Sequence, residues 1–81
     1  MVVMKTHRYF EEEAAAKHPE SVRYRKWCQR AIQSPIHTET QDDGMIRHYI
    51  LVPEVGKYMR VVTLEDGETV FNAFFDRRFK P

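Results

Sequence analysis

Four histidines (His7, His18, His37 and His48) and one arginine inside an apolar run are the residues of this chain best suited to chemistry. The arginine is Arg60, between Tyr58-Met59 and Val61-Val62. Histidine exchanges a proton near neutral pH. An arginine with apolar neighbours either reaches water at a sheet face or meets an anion, because unpaired buried charge is costly. These two residue types are enough to cleave RNA. The ribose 2′-hydroxyl attacks, a base takes its proton, an acid protonates the leaving oxygen, and a cation stabilises the phosphorane. No two histidines have HExxH or HxH spacing, no carboxylate motif for calcium occurs, and the single cysteine, Cys28, supplies no thiolate cluster. The chemistry expected here therefore uses neither metal nor cofactor.

The individual candidates differ in context. His18 stands before Pro19 at a helix boundary, where capping or packing competes with catalysis. His48 adjoins Tyr49 in an apolar run and reads as facing solvent. His7 and His37 have no distinguishing neighbours. Cys28 lies on the apolar side of a helix and reads as a buried structural thiol. Tyr24 and Trp27 read as packing residues.

Periodicity locates the elements that must position these groups. Thr6 can cap a first helix running to about residue 17, with Glu11, Glu12 and Glu13 in the early turns, where the macrodipole favours them. Tyr9, Phe10 and Ala14 can face inward. Residues 1–5, with Val2, Val3 and Met4, form a short strand or a frayed end. His18-Pro19-Glu20 interrupts, because proline disfavours helix before it and suits the first position of a new one. The spacing of Tyr24, Trp27, Cys28, Ala31 and Ile32 predicts one helix over residues 19–33, stopped at Ser34-Pro35. The period then changes. Strands are expected over residues 36–40, 45–52, 57–64 and 69–75, with turns at 41–44, 53–56 and 65–67. Such short loops imply antiparallel pairing. The expected fold is α+β, with two N-terminal helices on one face of a three- to four-stranded antiparallel meander and the last two strands central.

At 81 residues the chain has room for one domain, residues 1–81, and one modest core. Its 42% hydrophobic and 31% charged content is that of a globular protein, which argues against wholesale disorder. One cysteine excludes an internal disulfide framework, and a cytoplasmic protein is the natural expectation. The N-terminal stretch lacks the apolar region of a signal peptide, and no apolar run approaches the roughly 18 residues that span a bilayer.

The net charge is only +1, yet its distribution is uneven. Arg23, Arg25, Lys26 and Arg30 crowd the second predicted helix, and Arg77, Arg78 and Lys80 crowd the C-terminus. Acids gather at residues 11–13, at Asp42-Asp43 and at Glu65-Asp66. The basic side is either a solvated helix face or a phosphate-binding stripe. It also suits an acidic protein partner.

His18-Pro19-Glu20 between two helices, then GKYMRVV, a glycine turn and FNAFFDRRFK, resemble the phage-associated barnase–EndoU–colicin–RelE-like nuclease domains over about residues 7–80. The resemblance implies N-terminal helices against an antiparallel sheet. It also implies metal-independent, toxin-like ribonuclease activity, with RNA as substrate and an acidic inhibitor or antitoxin as partner. The family's His-Pro falls on His18 and Pro19. Its glycine-led strand falls on Gly56, Lys57 and Tyr58 and continues through Arg60, Val61 and Val62. Where the family carries a Thr-Ala-Tyr-like segment, this chain has Asn72-Ala73-Phe74, which removes two hydroxyls. Asn72 can still hydrogen-bond; Phe74 cannot. The expected catalytic set is His18 as acid or base, Arg60 as phosphate stabiliser, and Asn72 and Tyr49 as positioning groups. Arg23, Arg25, Lys26, Arg30, Arg77, Arg78 and Lys80 would contact flanking phosphates. The alternative is a non-catalytic RNA- or protein-binding domain of the same fold.

Overall fold

Valine, isoleucine, tyrosine and phenylalanine concentrate in the second half of the chain, where three glycines punctuate them. The computed structural model describes residues 4–81 and turns this pattern into four strands: β1 (His37–Thr40), β2 (Ile46–Val52), β3 (Lys57–Thr63) and β4 (Val70–Phe75). They form one antiparallel sheet in the order β1-β2-β3-β4. Gly56 and Gly67 close the last two turns with φ of 62° and 70°, a region that side chains bearing a Cβ rarely adopt. The fold is therefore the α+β meander expected. One expectation is corrected: β3 is central, but β4 lies at the sheet edge.

The first helix, α1, passes through a π-helical turn, Phe10–Ala14, into an α-helical turn, Ala15–Lys17. Thr6 does not cap it. Thr6 instead bridges Val70 in parallel, with the Val70 N–H donating to the Lys5 carbonyl and the His7 N–H donating to the Val70 carbonyl, each at 2.8 Å. The capping group is the next residue, since the Tyr9 N–H donates to His7 Nδ1 at 2.9 Å. Of the strand considered over residues 1–5, residues 1–3 lie outside the described residues.

The single helix expected over residues 19–33 is two, α2 (Glu20–Arg23) and α3 (Arg25–Gln33). Tyr24, at φ −111° and ψ 35°, separates them. The break lets α2 pack on β4 while α3 packs on β2 and β3. One straight helix could not follow both strands of a twisted sheet. No helix among the described residues is long and apolar enough to cross a membrane.

The core lies between the helices and one sheet face. Phe10, Ala14, Cys28 and Ala31 meet Ile50, Val52, Met59, Val61, Val70 and Ala73. Trp27 and Ile32 sit at its margin, and the Trp27 indole N–H donates to Glu54 at 3.0 Å, tying α3 to the β2–β3 turn. Cys28 is wholly buried beside Met59, and burial pushes its thiol up to about 12, which suits packing and not nucleophilic attack. A bulge interrupts the last pairing: Val62 faces Asn72 but Thr63 faces Val70. The extra residue, Phe71, stacks on Tyr9 with ring centroids 4.5 Å apart, joining the sheet edge to α1.

His48 is not at the surface. It alternates with Tyr49 onto the helix-covered face, is 6% exposed, and lies 2.9 Å from Thr63 Oγ1 through Nε2. Its Nδ1 has no partner among the described residues. Burial disfavours the imidazolium, so its pKa falls below the ordinary 6.5. Stability should therefore be intact above pH 6.5 and decline as pH falls below it, where the unfolded chain takes up the proton first. Urea midpoints across pH 5–8 should show this slope, and a His48→Leu protein should flatten it. An equal slope in both proteins would assign the effect to other groups.

Candidate functional site

Strand alternation puts His37, Tyr49 and Arg60 on the sheet face that the helices leave open, and His48 on the other. The registers pair His37 with Tyr49, Tyr49 with Arg60, and Arg60 with Phe74. These four side chains thus form a single row across all four strands. The Arg60 guanidinium carbon lies 5.8 Å from the Tyr49 ring centre and 5.0 Å from that of Phe74. His18 extends the row past β4, its ring 5.1 Å from Phe74. At the other end the His37 ring lies 5.8 Å from Tyr49. A guanidinium therefore stands in the row between two imidazoles, with an aromatic ring on either side.

Arg60 meets its anion within the chain. Its Nε and Nη2 both donate to Asp76 Oδ2. Burial works to raise the Asp76 pKa, but the Arg60 hydrogen bond, that of the Arg78 N–H and the Arg60 charge together outweigh it and hold the carboxyl below its ordinary range. Asp76 also shapes the tail. Its N–H donates to the Tyr58 carbonyl and its Oδ1 accepts from the Arg78 N–H, each at 2.9 Å. The chain then turns back over the open face. Phe79 stacks on Tyr49 at 4.0 Å, with its ring edge-on to Tyr58. Under this tail opens a cleft of about 470 Å³, lined by His37, Glu39, Tyr49, Arg60, Arg78 and Lys80 among others. His37 Nε2 lies 3.2 Å from Glu39 Oε1, so the carboxylate orients that imidazole.

Of the expected catalytic residues, Tyr49 and Arg60 line the cleft. His18 does not line it; it lies beyond Phe74, its side chain 36% exposed and its Nδ1 4.0 Å from Glu20. Asn72 lies on the same open face one row over, opposite Val62, and its side-chain oxygen accepts from the Ala73 N–H. Arg78 and Lys80 line the cleft; Arg77 lies on the other side of the tail.

The basic helix is elsewhere. α3 covers the opposite sheet face, where Arg25 pairs with Glu11 at 3.0 Å, Lys26 pairs with Glu54 at 3.5 Å, and Arg30 lies over Trp27. Arg23, on α2, sits over Tyr24 beside the tail. The stripe read from the sequence is thus split, with only Arg23 near the C-terminal cations.

His37, Asp76 and Phe79 were not legible as site residues. A signal for His37 existed, because pairing two strands around the 41–44 turn places it opposite Tyr49. Among the described residues no group of three or more His, Cys, Asp or Glu could hold a metal ion. No family model, curated protein or solved structure matches this chain.

Proposed function

We propose that this chain is a small ribonuclease that cleaves RNA by attack of the internal 2′-hydroxyl, on the open face of its sheet and without a metal. The observation that carries the proposal is the cross-strand row His37, Tyr49, Arg60 and Phe74, extended by His18. Transesterification needs a base on the hydroxyl, an acid on the leaving oxygen, and a cation at the phosphorane between them. At about 4.8 Å per strand the two histidines stand too far apart to act on one phosphate. A single histidine therefore takes one of the two proton-transfer roles there, with water in the other: His37, which shares the cleft with Arg60, or His18, beyond Phe74. Glu39 holds the His37 ring, as a carboxylate orients an imidazole for proton transfer. Asp76 occupies Nε and Nη2 of Arg60, which leaves Nη1 for a phosphate oxygen. Tyr49 supplies an aromatic floor, and Asn72 a polar group beside it. The resemblance to the barnase–EndoU–colicin–RelE-like domains supports the same reading, including a toxin-like role in the cytoplasm.

Two observations favour a second reading, a non-catalytic RNA-binding domain. Asp76 already neutralises Arg60, and Phe79 already covers Tyr49 where a base would stack.

Labelled RNA separates the two. The ribonuclease reading expects cleavage in EDTA, products ending in 2′,3′-cyclic phosphate, and resistance of DNA, which lacks the attacking hydroxyl. Binding by folded protein without cleavage of any RNA would establish the second reading. Cleavage that EDTA abolishes would refute the metal-free mechanism.

A further inference from the structure

The cleft under the tail is one end of a longer depression. A second hollow, of about 320 Å³, is lined by Lys57, Tyr58, Phe75, Arg77, Phe79 and Lys80 among others. A third, of about 550 Å³, lies between α2, the β2–β3 turn and the tail, and includes Arg23, Tyr24, Lys57, Phe75 and Arg77. The second shares Phe79 and Lys80 with the cleft, and Lys57, Phe75 and Arg77 with the third. The three therefore run on from one another around the end of the sheet where β3 begins and β4 ends.

Charge along this path is unbalanced. The chain has 13 lysines and arginines. Six of them, Lys5, Arg8, Arg25, Lys26, Arg47 and Arg60, are in ion pairs. The other seven make no ion pair among the described residues, and five of those, Arg23, Lys57, Arg77, Arg78 and Lys80, line the path. The carboxylates on it are engaged: Glu39 with His37 and Arg47, Glu20 with His18 and the Phe75 N–H, and Asp76 with Arg60. Aromatic rings lie between the cations. Lys57 sits 5.4 Å from the Phe75 ring centre, Arg23 sits 5.6 Å from that of Tyr24, and the two rings meet at 5.6 Å.

We infer that the path from the cleft to α2 is a single-strand RNA track, in which Arg23, Lys57 and Arg77 hold the phosphates of nucleotides flanking the one at Arg60. The inference rests on the proposed RNA-cleaving site and extends it to residues outside the cleft. Unpaired cations alternating with half-buried aromatic rings suit a flexible polyanion with stackable bases. A duplex could not follow so sharp a turn around a sheet end. The track excludes Arg25, Lys26 and Arg30, whose charges face the other side of the sheet.

The test is binding of a fluorescent 2′-O-methyl RNA, which cannot be cleaved, so the result is independent of catalysis. Anisotropy is read across salt concentrations. One phosphate at each of the five unpaired cations of the path, Arg23, Lys57, Arg77, Arg78 and Lys80, predicts a slope of log affinity on log salt near −3.5, Arg60 being already neutralised by Asp76. Lys57→Glu and Arg77→Glu should each weaken binding roughly tenfold at low salt and make the slope shallower by about 0.7. Lys57→Gln should give the same change in slope, separating lost contact from added repulsion. Arg8→Glu, an equal charge change at the opposite end of the sheet, should leave the slope unaltered. A slope unaffected by Lys57 and Arg77, or affected as much by Arg8, overturns the track. Polyglutamate competing as well as RNA at equal charge also overturns it, because the surface would then be suited to an acidic protein.

Discussion

Alanine at the catalytic histidine of the row, His37 or His18, is expected to lower RNA turnover by roughly 10²–10⁴-fold, and Arg60→Ala by roughly 10²–10³-fold. Only one of the two histidines reaches a given phosphate, so the variant at the other should keep its turnover and serve as the control. Loss of the catalytic histidine should remove its limb of the pH–rate profile. Arg60 acts differently. Its charge matters most as the phosphorane gains negative charge, so turnover should fall far more than affinity for uncleavable RNA. Asp76→Asn is the informative companion. It keeps the shape but leaves one acceptor oxygen in place of two; with that oxygen on the Arg78 N–H the amide NH2 faces the guanidinium, which loses the anion that orients Nε and Nη2. Its defect should be largely non-additive with that of Arg60→Ala, because both act through one guanidinium. Full activity of His37→Ala and His18→Ala would refute the row as a catalytic site. Equal loss of binding and turnover in Arg60→Ala would reduce Arg60 to a simple phosphate contact.

Phe10→Ala is expected to cost about 3–5 kcal/mol, the usual range for truncating a fully buried phenylalanine. Phe10 is 0% exposed and joins α1 to the cluster of Ala14, Cys28, Met59, Val61 and Val70. For a domain of this size such a loss is a large share of total stability and should lower the melting temperature by more than 10 °C. Trp27→Ala should cost less, since Trp27 stands at the core margin with one edge held by Glu54. Thermal or urea unfolding of the two variants decides between them. A greater loss for Trp27 would mean that α3, and not α1, carries the packing of the sheet.

Much of the architecture follows from local rules visible in the chain. Three glycine-bearing turns divide a β-rich half into strands, and short turns admit only antiparallel neighbours, so the order β1-β2-β3-β4 follows. His18-Pro19 marked the end of α1 because proline restricts the residue before it. The apolar spacing of Cys28 and Ala31 marked the buried side of α3. Arg60 stood out because charge within an apolar strand demands a partner, and the partner is present as Asp76.

What tertiary structure decided is which residues share a face and which groups meet. His48 and Tyr49 are neighbours in sequence, yet alternation buries one against the helices and points the other into the cleft. Their assignment depends on which sheet face the helices cover, and that is settled by long-range packing of Phe10 and Cys28, not by any local preference. His37 carried no signal in its own neighbours; only the register of β1 on β2 sets it beside Tyr49. The basic residues of the second predicted helix form a continuous stripe in sequence. The break at Tyr24 and the nearby carboxylates Glu11 and Glu54 divide that stripe, satisfying Arg25 and Lys26 while leaving Arg23 beside the tail. Helix and turn propensities act over a few residues and can be read along the chain. Face, register and ion pairing are long-range properties, which take definite values only when the whole sheet has closed against its helices.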